Sequence, residues 1–173
     1  GGEGSVSYGS RDYVRAMADI NLPAFNNFAV KGTLLYMDKD GWVKNPGAKH
    51  NYGESGQFAG RLAVEWTPTD NLSINYAWDK GRVTSTQPYY SNPDLVGFVP
   101  GYTADKDRTY APLDIGTSYA NFQDHQLTVE WDVSDSLLIR SLTGYRDFSA
   151  FQDVNYGYAQ SLPGLLGLEV AQQ

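Results

Sequence analysis

The segment Gln57–Trp78 reads QFAGRLAVEWTPTDNLSINYAW, and its side chains alternate with a period of two. Phe58, Gly60, Leu62, Val64 and Trp66 fall on one face; Ala59, Arg61, Ala63 and Glu65 fall on the other. After Thr67-Pro68-Thr69-Asp70-Asn71 the alternation restarts, with Leu72, Ile74, Tyr76 and Trp78 set against Ser73, Asn75, Ala77 and Asp79. This period predicts two strands, and Pro68 with Asp70-Asn71 supplies the turn chemistry between them.

The apolar face is bracketed by aromatics. Trp66 lies at the turn end and Phe58 and Trp78 at the far end, with Leu, Val and Ile between. Phe58 to Trp66 spans about 26 Å along a strand. At a tilt of about 40° this is about 20 Å of height, near the lipid-facing band of an outer-membrane barrel. The opposite face carries charges, which suits water rather than a dry core. A soluble sandwich usually turns its apolar face inward without aromatic ends.

The composition agrees. A chain of 173 residues suits one domain. Its hydrophobic content is 41%, and no run approaches the length a spanning helix needs. A β-barrel escapes that requirement, because only alternate residues meet lipid. Thirteen Tyr and four Trp suit interfacial belts and adhesive loops. The net charge of −7, with no basic stripe, disfavours nucleic acid as a partner. Without cysteine there is no disulfide, zinc-thiolate site or thiol catalysis. Gly1-Gly2-Glu3-Gly4 has neither the basic start nor the apolar core of a signal peptide, so an exported protein would be a mature piece or an excerpt here.

Further strands are predicted on both sides of the hairpin. Gly4–Ser10 alternates around Val6 and Tyr8, and Tyr13–Leu22 around Val14, Ala16, Ala18 and Ile20. Pro23-Ala24-Phe25-Asn26-Asn27 breaks the ladder before a third strand, Phe28–Met37. A loop covers 38–56, and a long irregular segment with four prolines covers about 82–120. Phe122–Val133 and Leu137–Phe148 are the sixth and seventh strands, and residues 153–173 read as loop-like. Trp66-x-x-x-Asp70-x-Leu72 is echoed by Trp131-x-x-x-Asp135-x-Leu137. Connections near 23–27, 67–71 and 132–136 are short, while those at 38–56, 82–120 and after 153 are long. That asymmetry is the pattern of bacterial outer-membrane barrels, with short periplasmic turns and long extracellular loops.

Four stretches carry a family resemblance. They are Gly4-Ser5-Val6-Ser7-Tyr8-Gly9-Ser10, Leu34-Leu35-Tyr36-Met37-Asp38-Lys39-Asp40-Gly41-Trp42-Val43-Lys44-Asn45, Gly60–Leu72 and Arg140-Ser141-Leu142-Thr143-Gly144-Tyr145-Arg146-Asp147-Phe148. In this order they resemble the front part of the barrel of TonB-dependent outer-membrane receptors. The resemblance implies residence in the cell outer membrane and uptake of a scarce nutrient such as a ferric siderophore, a cobalamin or a carbohydrate. It also implies outer-membrane lipid as a partner, and the TonB protein engaged through an N-terminal part that is absent here. The family has a plug, many more strands and an aromatic C-terminal residue. The expectation is therefore a partial transmembrane β-barrel: an all-β antiparallel meander of about seven strands over 1–173, excerpted from a larger receptor.

Candidate residues follow from the faces and the loop. Phe58, Leu62, Trp66, Leu127 and Trp131 are expected to face lipid; Arg61, Glu65, Asp79, Glu130 and Arg140 are expected to face the lumen. The long loop is the candidate for capturing an amphipathic ligand, through Tyr89, Tyr90, Tyr102, Asp105, Asp107, Arg108 and Tyr110. Glu65, Asp79 and Glu130 offer carboxylates with nothing that singles out a catalytic pair, so no enzyme activity, catalytic residue or cofactor is expected. His50 and His125 are far apart in sequence and read as exposed loop residues, so no metal site is expected. Asp38-x-Asp40-Gly41 lacks the later ligands of a calcium loop and reads as a strand end and turn. Two alternatives stay open: a small structural or adhesive outer-membrane barrel, and a soluble β-sandwich that binds carbohydrate.

Overall fold

The computed structural model describes residues 1–91, 93–98, 100, 103–109, 114–155 and 167–172, with the backbone alone for 95, 155 and 167–172. Eight strands follow one another: β1 (Gly2–Gly9), β2 (Tyr13–Asn21), β3 (Phe28–Lys39), β4 (Ser55–Thr69), β5 (Leu72–Thr86), β6 (Thr117–Ser134), β7 (Leu137–Asn155) and β8 (Gly167–Gln172). Each pairs antiparallel with the next, so the order in the sheet is the order in the chain. β1 and β8 are the two edges, and the sheet is not closed.

The seven expected strands are all present. Two expectations are corrected. The segment 82–120 is not irregular throughout, because β5 continues to Thr86 and β6 begins at Thr117. The tail is not wholly loop-like either: β7 reaches Asn155, and 167–172 pairs back on it from Asn155↔Gly167 to Ala150↔Gln172. Residues 156–166 lie outside the described part. The physical reason is the same in both places. Apolar alternation marks only the part of a strand that has an apolar face, while the hydrogen-bonded ladder runs on through polar sequence. β4 to β7 have 15, 15, 18 and 19 residues, well beyond the roughly ten that cross a bilayer.

The tight connections follow from their residues. Asn26 and Asn27 take φ of 46° and 64°, the left-handed region that asparagine tolerates. Phe25 and Phe28 close this turn with paired backbone bonds of 2.9 Å each way. The two echoed hairpins share a further device. Trp66 pairs with Ile74 and Thr69 with Leu72, so β4 carries one extra residue there. Asp132 pairs with Leu138 and Ser134 with Leu137, so β6 does the same. A bulge of this kind bends a strand and raises its twist, and in β4 it accommodates Pro68, which cannot donate to the ladder.

Register sorts the side chains into two faces. Phe28, Trp66 and Ile74 stand in one cross-strand row; Val30, Val64, Tyr76 and Leu127 stand in the next. Leu62, Trp78, His125 and Tyr145 follow. Phe28 and Trp66 stack with ring centroids 5.5 Å apart. Phe58, Leu62, Trp66, Leu127 and Trp131 are between 38% and 57% exposed, so nothing among the described residues covers this face. Among the described residues the buried hydrophobic ones are Val43, Tyr52, Ala77, Tyr89 and Ile115. All but Ala77 belong to the connections at one end of the sheet. The described residues thus form one layer with an uncovered apolar face, capped at one end.

Candidate ligand-binding cap and charged face

The cap grows from the β3–β4 and β5–β6 connections. Val43 and Tyr52 bridge within the first, and the second lies against it as Lys44 pairs in parallel with Arg108. Lys44 donates its amide to the Asp107 carbonyl at 2.9 Å, and Thr109 donates to the Lys44 carbonyl at 3.0 Å. Tyr89 packs edge-on against Tyr52 at 5.3 Å and against Trp42 at 6.4 Å. Val43, Tyr52, Tyr89 and Ile115 make a small core outside the sheet, with Trp42 at its exposed edge.

Two glycines make this packing possible. A Cβ on Gly41 would run into the Tyr52 carbonyl and Asn51. Gly53 holds φ at 76°, and a Cβ there would collide with the Trp42 ring.

Asp40 is the polar hub beneath. It accepts from the Gly41 amide at 2.7 Å, from Asn51 Nδ2 at 2.8 Å and from Lys44 Nζ. Burial pushes the Asp40 carboxyl up, but these donors outweigh it and hold the carboxyl below the usual range. The same hydrogen bond raises Lys44 above the usual lysine value. His50 Nδ1 is 2.9 Å from Glu54 Oε2, and Thr86 Oγ1 donates to the Asn51 carbonyl at 2.7 Å.

The predicted loop residues fall apart into two groups. Tyr89 is 7% exposed and belongs to the cap core rather than to a ligand surface, whereas Tyr90 is 63% exposed. Asp105, Asp107 and Arg108 are exposed, and the Asp107 amide donates to Asp105 Oδ1 at 2.9 Å. Tyr102 and Tyr110 lie outside the described residues. Trp42, Val43, Tyr52, Asn45 and Thr109 were not singled out by sequence, although Gly41-Trp42-Val43 is an apolar interruption in an otherwise polar loop.

The histidines are also placed differently from the expectation of exposed loop residues. His50 is half-buried at the base of the cap. His125 lies within β6, where Tyr76 Oη is 2.7 Å from its Nδ1. Among the described residues no group of three or more His, Asp or Glu is arranged to hold a metal ion.

The opposite face of the sheet gathers the predicted charges. One row crosses six strands as Asp19, Thr33, Arg61, Asp79, Asp124 and Arg146. Thr33 Oγ1 donates to Asp19 Oδ1 at 2.6 Å, and Arg61 Nη1 lies 3.4 Å from Asp79. Arg146 grips Asp124, and on the same strand pair, nearer the tight turn, Arg140 Nε meets Glu130 at 2.9 Å. Glu65 makes no ion pair among the described residues. Ala63 and Ala77 open a depression of about 390 Å³ between Lys31, Arg61, Glu65, Gln126 and Thr128.

Compared with protein families, with curated proteins and with solved structures, this chain matches none.

Proposed function

We propose that this chain is barrel wall from an outer-membrane receptor of the TonB-dependent class. Its apolar face meets lipid, its charged face lines a watery lumen, and its cap takes part in capturing a small nutrient. A ferric chelate, a cobalamin or a carbohydrate fits the exposed Tyr90, Trp42, Asp105 and Arg108 in chemical kind. The observation that carries this reading is the coincidence, on a single layer, of an uncovered apolar face bounded by aromatics and a charged face behind it. Charged residues at the hydrocarbon face would be costly, and between the row of Trp66 and the row of Trp78 the charges on β4 to β6 point the other way. Long strands and a packed cap at one end, with tight turns at the other, support the same orientation.

The test is site-directed spin labelling in phosphatidylcholine bilayers. Labels at Leu62 and Leu127 are expected to be open to oxygen and shielded from an aqueous nickel chelate. Labels at Ala63 and Thr128, one residue along each strand, are expected to show the reverse. Aqueous access at all four sites would sink the membrane reading.

The strand count favours a second reading. Eight strands is the smallest closed single-chain barrel, and this sheet has eight. A small barrel would then form by joining β1 to β8. Cysteines at Ser5 and Ala171 crosslink in such a barrel and stay apart in a wall that continues into further strands.

A further inference from the structure

The uncovered face is not uniformly apolar. Along β5, Trp78 is followed on the same face by Lys80 and then Arg82, both exposed. Neither makes an ion pair among the described residues; Arg82 lies over the Tyr119 ring at 4.4 Å. The register places Gly60 beside Lys80, and Phe58 beside Arg82. Gly60 has no side chain to fill the space, so a groove of about 530 Å³ opens between Leu34, Phe58, Trp78, Lys80 and Arg82. On its far side Asn121 and Gln123 add amides that can donate. Among the described residues Asp147 is the one carboxylate lining the groove, across β6 from Lys80.

Heights along the strand fit one kind of occupant. The row of Trp78, His125 and Tyr145 is the last aromatic row on β5 to β7 before those strands turn polar on this face, while Tyr36 and Phe58 carry the aromatic edge on along β3 and β4. Lys80 stands about 7 Å beyond it along the strand and Arg82 about 13 Å. At the tilt of a barrel strand these become about 5 Å and 10 Å of height. Headgroups occupy the first several ångströms outside the hydrocarbon, and long basic side chains reach back toward that level.

We infer that this groove binds the phosphate-bearing headgroup of an anionic lipid between Leu34 and Phe58, with its acyl chains running inward along Trp78 and Leu62. The inference rests on the membrane reading proposed above. Lys80 and Arg82 supply the positive charge, and Arg82 presents the fork that suits a phosphate.

The experiment uses the full chain with Trp42→Phe, Trp66→Phe and Trp131→Phe, so that Trp78 alone fluoresces. It is refolded into phosphatidylcholine bilayers carrying a minor fraction of brominated phosphatidylglycerol or, in parallel, of brominated phosphatidylcholine. The anionic lipid is expected to be enriched at Trp78 by about fivefold for each basic residue. Lys80→Gln with Arg82→Gln removes the enrichment, Lys80→Arg with Arg82→Lys keeps it, and Asp147→Asn raises it. Equal quenching by both lipids overturns the headgroup site while leaving the lipid-facing wall intact. Quenching by neither overturns both.

Discussion

Asp79 and Asp124 stand directly opposite each other on β5 and β6, and each is paired on its far side with an arginine, Arg61 at 3.4 Å and Arg146. Like charges opposed across strands are destabilising, so the two arginines offset a repulsion as well as forming pairs of their own. Arg61→Gln is expected to cost about 0.5–1 kcal/mol in urea unfolding. Asp79→Asn in that background should recover most of the loss, because it removes the repulsion the arginine had balanced. A double-mutant cycle that gives simple additivity would mean the four charges act as independent surface groups.

Neighbouring residues on β6 should respond oppositely to the same charge. Leu127→Arg places a cation on the apolar face and is expected to cost about 2–4 kcal/mol of stability in bilayers. Thr128→Arg places it on the charged face beside Asn75 and is expected to stay within about 0.5 kcal/mol. Equal costs would show that the two faces meet the same medium.

Tyr89 and Tyr90 are adjacent and should separate structure from binding. Tyr89→Ala removes the ring that joins Tyr52 to Trp42, and is expected to weaken the cap locally by about 3 kcal/mol. The readout is faster hydrogen exchange at the Lys44 and Thr109 amides. Tyr90→Ala should leave those amides protected and alter only ligand affinity.

Gly41 tests the same core from the backbone side. Gly41→Ala drives a methyl against the Tyr52 carbonyl, so the cap must shift. Trp42 fluorescence and near-ultraviolet dichroism are expected to change while the strand signal in the far ultraviolet does not. A spectrum identical to the parent would show that the loop accommodates the methyl without loss.

The cap should also respond to acid. A carboxyl held below its usual value in the folded chain contributes stability that is present above the usual value and lost as pH falls through the lowered one. Asp40 therefore predicts loosening of the cap on the acid side of the ordinary carboxylate range. Lys44, raised by the same contact, keeps its contribution until pH climbs through its raised value. Asp40→Asn is expected to flatten the acid transition seen by Trp42.

The readable parts of this chain are those where one face repeats. Phe58 to Trp66 and Leu127 to Val133 announce strand, face and register because every second residue has the same neighbour in the sheet. The upper parts of β5 and β6 did not, since Lys80, Arg82, Asn121 and Gln123 are polar on the face where apolar residues were sought. Tyr89 was misjudged for a related reason. Its partners Val43 and Tyr52 lie some forty residues earlier, and no local period reports a contact between two loops. The charges were easier: Arg61, Asp79, Glu130 and Arg140 alternate with the apolar set, so their common face followed from parity alone.

The order of the strands bears on how the sheet assembles. Every strand pairs with its neighbour in the chain, so each hairpin can zip onto the one before it without waiting for distant sequence. The costly step among β1 to β7 is joining β5 to β6, where residues 87–116 must be closed into a loop. Docking of Asp107–Thr109 on Lys44 gathers part of that loop onto a connection already fixed by β3 and β4. The cap thereby shortens the free chain left to close, and it acts as a clasp that brings the two halves of the sheet together in time.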